Sequence, residues 1–521
     1  MAAKDFKNSF PQDISPRLIA ALLILLGFLI TTQRRYTYSE PLHGDLTTFA
    51  VMGHELLHGK SLYADLIDHS PPARYWTYAL AETIAGYGPR AVWLLSLGGA
   101  WLLMGAFFAA GQGLTRRVSG GLWAAALYAV ISSDLRFQAN HPWIELFINA
   151  CFTGAIALLC PLTEEALTPA RWMFAAVLFF LTTLYWQPMA VPVLFVLIAY
   201  AFASHRRAGI VQSLFMAGVI VLGWGLVFLG YTLKGTLRAF IDLVFVFNRS
   251  YAAYNGTFTE RLVKIFTGTG WPAEFHSGTF LFFFPLAGLA LYGLFSAWRR
   301  GESRTVMLLS AYGIGALIAI ALPGTFYPHY FQLILPPLIL SARIPSRTVG
   351  FLALLLLCLY EGPSYRLTPE QWSIEKYGNE PLVTQRVGRD LSELLAKDET
   401  FYNWGTQTGL YFWSRRDPPT GAFYNFYLLT GPSAEALSEL TIDDLNRTKP
   451  ELFIALEPRV ALAPQVYENH PIYAWARARY RPFYWPGHMG SFLYLARRGG
   501  ALEQRILHGQ SPATFTPPKK S

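Results

Sequence analysis

The sequence predicts an α-helical polytopic membrane protein with about eleven spans and a small α/β domain at its C-terminus. Three observations carry this. Apolar runs long enough to approach the roughly 20 residues of a bilayer span recur through the first two thirds of the chain. Only 14% of its 521 residues are charged and 53% are hydrophobic, against about 25% charged in soluble proteins. From about Glu361 the apolar runs give way to short alternating pieces. The long uninterrupted runs are helical, not the alternating strands of a barrel.

In order, the predicted spans lie near Leu18–Thr32, Ala91–Ala110, Gly121–Ser133, Trp143–Cys160, Trp172–Tyr185, Pro188–Ser204, Val211–Leu233, Thr279–Ser296, Thr305–Leu322, Tyr330–Ala342 and Thr348–Tyr360. Several are short, and short or broken helices at membrane depth need a covering of protein. The net charge of +9 does not indicate nucleic acid, because the arginines sit mostly in short inter-span loops. One side collects Arg116, Arg117, Arg171, Arg206, Arg207, Arg299, Arg300, Arg304, Arg343 and Arg347. The other carries little beyond Arg136. Positive charge marks the cytoplasmic loops, which places the N-terminus (Lys4, Lys7, Arg17) inside and the C-terminal domain outside. Arg34 and Arg35, just past the first span, run against this assignment. No cleavable signal peptide is evident. The three cysteines (Cys151, Cys160, Cys358) fall in apolar segments and define no disulfide framework.

Two outer loops are long, at about 33–90 and 234–278. The second places Phe240, Leu243, Phe247 and Tyr251 at helical spacing and reads as an interfacial segment. The C-terminal part, 361–499, reads as strands at Thr400–Trp404, Tyr411–Trp413, Leu452–Leu456 and Ser491–Ala496, with helices at Ser433–Asn446 and Ile472–Tyr480. Residues 500–521 read as a disordered Pro- and Lys-containing tail. No internal repeat of the inverted transporter kind is present.

The spans are almost free of charge, with no Asp, Glu, Lys or Arg at a predicted midplane. Ionisable residues crowd the outer rim instead: Asp45, Asp65, Asp68, His69, Arg74, Glu145, Arg249, Arg261, Lys264 and His329 are among them. Singly, each is accounted for as a solvated rim group. Together they place any chemistry at the outer membrane–water boundary, since ionisable groups there are costly unless hydrated, paired or used. This distribution counts against an ion-coupled lipid or solute transporter, which remains the third reading of the chain.

The densest stretch is the first outer loop. It runs Glu40-Pro-Leu-His-Gly-Asp45, continues through Leu56-Leu57, Gly59, Leu62-Tyr63 and Asp65, and ends Asp68-His69-Ser-Pro71-Pro72-Ala-Arg74. A second stretch is Phe326-Tyr-Pro-His329-Tyr-Phe331 followed by Leu335-Pro-Pro337. Asn140 to Glu145 and Trp186-Gln187-Pro188 add weaker pieces. In this order the residues resemble the GT-C glycosyltransferases that use polyprenyl-phosphate sugars, and most nearly the bacterial aminoarabinose and galacturonic acid transferases. Protein O-mannosyltransferases are more distant in likeness. The resemblance covers the membrane domain.

It implies a bacterial inner-membrane enzyme of the cell envelope. Such an enzyme moves a sugar from a polyprenyl-phosphate donor to a hydroxyl of a lipid (lipopolysaccharide or another glycolipid) or a glycan at the outer face, with inversion. Asp45 matches the family's acid and is expected to act as general base. Asp68, His69, Arg74, Glu145, Arg249, Arg261, Lys264 and His329 are expected to bind substrate. No cofactor is called for, although carboxylates and histidines sharing one loop leave a divalent metal open. Three departures thin the site: Leu46 stands where a second acid is common, Ser70 where a lysine is common, and Thr325 where a basic residue is common. Arg74, one turn beyond Ser70, is the expected replacement. For Asp45 the competing role is a helix N-cap, helped by Thr47 and Thr48.

One further motif competes. His54-Glu55-Leu56-Leu57-His58 is a literal His-Glu-x-x-His, which on a helix sets two imidazoles one turn apart beside a glutamate, as in zinc proteases. Its short interfacial setting and the lack of a third ligand at protease-like spacing favour the first reading.

Overall fold

The computed structural model describes residues 14–160, 168–203, 206–276, 283–456 and 469–515. Helix α1 (Pro16–Tyr36) opens the chain, with the Ser15 hydroxyl accepting from the Leu18 N–H and proline at its first position. Helices α2 (Gly44–Leu57) and α3 (Ala73–Ala85) come from the first long loop. They are followed by α4 (Pro89–Thr115), α5 (Val118–Ile131), α6 (Ile144–Leu159), α7 (Pro169–Tyr185), α8 (Ala190–Ala203) and α9 (Arg206–Leu233). The second long loop carries α10 (Leu237–Ile241), a π-helical turn over Asp242–Phe247, α11 (Asn248–Tyr254) and α12 (Phe258–Thr267). Helices α13 (Phe284–Arg299), α14 (Ser303–Ala321), α15 (Leu335–Ser341) and α16 (Arg347–Glu361) complete the bundle.

The chain is thus a helical, multi-pass membrane protein. Five described helices are long and apolar enough to cross a bilayer, namely α1, α4, α9, α14 and α16, and shorter apolar helices fill in between. The start of the expected span at Thr279 and the end of the one at Ser204 lie outside the described residues. The expected span Tyr330–Ala342 is a different object: a 3-10 stretch, Pro328–Ile334, runs into the seven-residue α15. Pro336 and Pro337 sit at the start of that helix, where missing N–H groups cost nothing, and both are buried. Too short to cross, it is covered by protein.

Arg34 sits in the last turn of α1, one residue from exposed Arg35. Its guanidinium is 1% exposed and donates to the carbonyls of Ser96, Ser132 and Ala139 and to the Ser133 hydroxyl. It therefore closes the ends of neighbouring helices and does not act as a loop charge.

Beyond α16, helices α17 (Pro369–Tyr377) and α18 (Glu380–Asp390) lead into a four-stranded sheet of order β1-β2-β4-β3. The strands are β1 (Phe401–Trp404), β2 (Leu452–Leu456), β3 (Tyr480–Phe483) and β4 (Phe492–Arg497). β1 and β2 are parallel in the register Phe401↔Leu452, and the other pairs are antiparallel. Two sequence expectations are corrected. Tyr411–Trp413 is not a strand but part of helix α19 (Gly409–Ser414), because Gly409, Leu410, Tyr411 and Phe412 are all buried in succession, which gives no strand-like alternation. The tail is not disordered through 500–515. Residues Ala501–Leu507 form a helix that buries Leu502 and Ile506, and Thr514 exchanges backbone hydrogen bonds with Tyr484. Residues 516–521 lie outside the described residues.

The sheet and α2 share one hydrophobic core. Leu46, Phe49, Val51 and Met52 of α2 belong to the same buried cluster as Phe401, Trp404 and Ile454. Gly53 lets α3 close on α2, since a Cβ there would lie 2.8 Å from the Ala79 backbone nitrogen. At the top of this contact the Thr408 hydroxyl meets the Thr48 hydroxyl at 2.8 Å and the Gly44 carbonyl at 2.8 Å.

A cavity where the helix ends meet the C-terminal domain

A cavity of about 300 Å³ opens where the first long loop meets the bundle and the C-terminal domain. Asp45, Asp68, His69, Arg74, Glu145 and His329, read from the sequence as site residues, all line it.

Asp45 is the second residue of α2. The cap of that helix is His43, whose Nδ1 accepts the Asp45 N–H at 3.2 Å. The Asp45 carboxylate is thus not needed as a cap. Its side chain is 56% exposed, with its nearest ion-pair neighbour, His43, 3.9 Å away.

Arg74 enters from the first turn of α3, positioned by Pro71 and Pro72. Its guanidinium lies 4.3 Å from the centre of the Phe49 ring. Burial opposes the charge on Arg74, but the fields of Tyr75, Asp68, Glu145 and Asp45 outweigh it and hold the group protonated. Glu145 faces it from the first turn of α6. It is fully buried, and neither carboxylate oxygen has a hydrogen-bond partner among the described residues. A buried carboxyl group with neither oxygen partnered is costly, which leaves it free to pair with a polar group that enters the cavity.

Asp68 and His69 form the wall. The Asp68 carboxylate accepts from the Ser70 N–H at 3.0 Å and from the Tyr424 hydroxyl at 2.8 Å. Burial disfavours its charge, but His69, Arg74 and the Tyr424 hydroxyl more than compensate, and its pKa lies below the usual carboxylate range. His69 contacts the Tyr427 hydroxyl, and its carbonyl accepts from Asn248 at 2.7 Å. These bonds tie the loop to the C-terminal domain and to α11, and set the entry of α3.

His329 stacks on Trp143 with ring centres 3.9 Å apart and planes 4° from parallel, while its Nδ1 meets Gln138 Oε1 at 3.2 Å. Burial pushes its pKa well below the ordinary histidine value, and the charges of His43 and Arg74 push the same way. The ring is therefore neutral and cannot supply a cation. Phe326, which opens this segment, holds φ 49°, and Tyr63 in the first loop holds φ 69°. Such left-handed conformations cost bulky side chains roughly 1–3 kcal/mol and gather at functional sites.

Three expected substrate-binding residues are not brought to the cavity. The guanidinium of Arg261 is spent on the Thr257 and Leu322 carbonyls. Arg249 and Lys264 lie exposed on α11 and α12, away from the lining. The cationic character of the cavity rests on Arg74. Conversely, Thr406, Tyr424 and Phe426 of the C-terminal domain line it and were missed. No local signal marks them, because they arrive by packing against α2 and the first loop.

The His-Glu-x-x-His segment lies at the other end of α2. His54 Nδ1 meets Glu82 at 2.6 Å and its Nε2 lies 3.6 Å from Asp417, while Glu55 is paired with Lys60. His54, Glu55 and Asp417 offer ligand atoms within 4.8 Å of one another, but the motif's second histidine does not join them. His58 is exposed, and its Nδ1 is held by the His54 carbonyl at 2.8 Å. With Lys60 already on Glu55, this donor set is an ion-paired cluster and lacks the free glutamate base of a zinc protease.

No family profile matches the sequence, and no curated protein matches it. Solved structures do. The chain is similar to ArnT from Cupriavidus metallidurans bound to undecaprenyl phosphate, at a TM-score of 0.58 and 13% identity, over 92% of this chain and 97% of that one. The apo state of the same protein gives 0.57 at 14% identity, over 92% and 97%. This chain has the GT-C fold. The apo oligosaccharyltransferase of Archaeoglobus fulgidus is also similar, at 0.53 and 12% identity, over 92% of this chain and 74% of that one. At these identities the likeness concerns the GT-C architecture, helical bundle plus C-terminal domain, and the residues of the cavity speak for themselves.

Proposed function

We propose that the protein is a glycosyltransferase that moves a sugar from a polyprenyl-phosphate donor to a hydroxyl of a lipid or glycan, with the cavity as its active site. The single observation that carries this reading is the meeting of half-exposed Asp45, charged Arg74 and unpartnered Glu145 in one cavity between helices. Its volume falls at the lower end of small-molecule sites, roughly 300–1,000 Å³. The fold shared with ArnT, whose structure holds undecaprenyl phosphate, supports a donor on a lipid phosphate.

In the reaction, the acceptor oxygen attacks the anomeric carbon while the bond to the lipid phosphate breaks. Asp45 takes the hydroxyl proton, which costs least when the base is positioned and hydrated enough to be ionised. The departing phosphate gains negative charge, and Arg74 stabilises it from a half-buried position against the Phe49 ring. Glu145 exchanges hydrogen bonds with sugar hydroxyls, which satisfies its two oxygens. Neutral His329, whose Nδ1–H donates to Gln138 Oε1, offers its Nε2 as an acceptor and cannot act as a cation. Asp68 and His69 hold the wall and the approach of α3. One displacement through one base predicts inversion at the anomeric carbon. In this reading the cavity faces the outside of a bacterial cytoplasmic membrane, with the N-terminus in the cytoplasm.

The test is transfer of labelled sugar from polyprenyl phosphate by purified protein in detergent, set beside labelled-lipid flux in proteoliposomes. Transfer with no flux is expected. Flux without transfer would overturn the reading in favour of a transporter.

A further inference from the structure

A second depression, of about 370 Å³, lies between the end of α1, the turn from α3 to α4, and the C-terminal domain. Three arginines reach it from three elements: Arg90 in the first turn of α4, Arg389 in the last turn of α18, and Arg415 at the left-handed end of α19. All three are exposed, and no described carboxylate forms an ion pair with any of them. The one carboxylate at the depression, Glu40, is buried and taken by Lys376 at 2.6 Å and His141 at 3.0 Å. In the neighbouring His54 cluster, Glu82 and Asp417 pair with His54, and Glu55 pairs with Lys60. Three guanidiniums lining one depression, with no acid paired to any of them, give it a positive field that draws an anion.

The chemistry of that anion follows from the donors and their setting. Guanidinium forks match phosphate oxygens. Arg389 is held for the task, lying 4.9 Å over the Trp413 ring. Tyr38, 45% exposed, and Trp413 add amphipathic rings of the kind that mark a membrane–water interface. The adjoining helix supplies the other half. Trp76, Leu80 and Ile84 of α3 are 47%, 62% and 74% exposed. At spacing i, i+4 and i+8 they form one apolar stripe, and it runs to Ala85 and Gly86 at the edge of the depression.

We propose that this depression binds the phosphate of an anionic glycerophospholipid, with an acyl chain lying along the α3 stripe. Arg90, Arg389 and Arg415 take the phosphate, and Trp76, Leu80 and Ile84 take the chain. The site is distinct from the catalytic cavity, which α3 reaches with Arg74 at its opposite end, about 20 Å away for a helix of 13 residues. A lipid seated there braces the helix that carries Arg74.

The test uses full-length protein delipidated in an uncharged detergent. Short-chain phosphatidylglycerol, short-chain phosphatidylcholine and inorganic phosphate are added separately, and retention is read by native mass spectrometry with thermal unfolding in parallel. Phosphatidylglycerol is expected to be retained at least tenfold better than phosphatidylcholine and to raise the unfolding temperature. The triple variant R90Q/R389Q/R415Q loses that preference, the triple lysine variant keeps part of it, and I84N weakens lipid retention only. Equal retention of phosphatidylglycerol by wild type and the glutamine variant overturns the proposal. Stabilisation by inorganic phosphate as strong as by lipid overturns the lipid assignment and leaves a free-anion site. The unfolding temperature of the unliganded variants shows that they fold.

Discussion

Replacing Asp45 by asparagine separates a chemical role from a structural one with unusual clarity. The carboxylate is not the cap of α2, because His43 takes the Asp45 N–H. It is 56% exposed and makes no close ion pair. What folding loses is an acid in the first turn of a helix, worth about 0.3–1 kcal/mol. What catalysis loses, if Asp45 is the base, is about 10²–10⁴ in rate, or roughly 2.7–5.4 kcal/mol at 1.36 kcal/mol per decade. The two effects differ severalfold and are read on separate instruments. Single-turnover transfer from a labelled polyprenyl-phosphate sugar is expected to fall by at least a hundredfold in Asp45→Asn, with unfolding temperature and detergent elution nearly unchanged. Activity within threefold of wild type would refute the base assignment outright. A fall in activity matched by a fall in stability would return Asp45 to a structural role.

Arg74→Gln, which removes the cavity's own cation, is expected to lower the single-turnover rate by about 10²–10³. Arg74→Lys should recover at least tenfold of that loss, and no recovery would speak against a charge on the leaving phosphate. Lys376→Met strands the buried Glu40 carboxylate and is expected to destabilise the protein by about 3–5 kcal/mol. The double variant Glu40→Gln/Lys376→Met should regain much of this, which denaturant titration measures. For His54, burial opposes its charge, but hydrogen bonds to Asp417 and Glu82 prevail and hold its pKa at about 9, above the ordinary 6.5. Between those two values the folded state binds more proton than the unfolded one, so stability is full below about pH 6.5 and falls as pH rises toward 9. Unfolding temperature across that window should slope downward in wild type, and an equal slope in His54→Gln would rule this origin out.

Much of the bundle was legible because a bilayer imposes a length and an apolar run on each crossing helix. The exception at Tyr330–Ala342 is instructive. Hydropathy counts apolar side chains, and a 3-10 turn with a short proline-led helix buried in protein contributes as many as a span does. In the C-terminal domain, β2 and β4 were readable from their apolar runs, whereas β3 (Tyr480–Phe483) was hidden by exposed Arg481 and Pro482. Within the site, Asp45, Arg74 and His329 could be named because they lie in ordered motif loops. Arg249, Arg261 and Lys264 were named for charge alone, and charge does not say whether a side chain is free. Arg261 is spent on backbone carbonyls and the other two face outward. Glu145 shows the opposite limit, since nothing in the sequence shows that both its oxygens lack partners.

The core that α2 shares with the C-terminal sheet has a consequence for biogenesis. Thr48 and its partner Thr408 are 360 residues apart in the chain. At about 5–20 residues per second of synthesis, the helix bearing Asp45 waits on the order of tens of seconds before the surface that completes its packing is made. During that interval its apolar face is a liability, open to wrong partners or to proteases. Truncations upstream of β1 would therefore reduce yield first, and they would also strip Thr406, Tyr424 and Phe426 from the cavity lining.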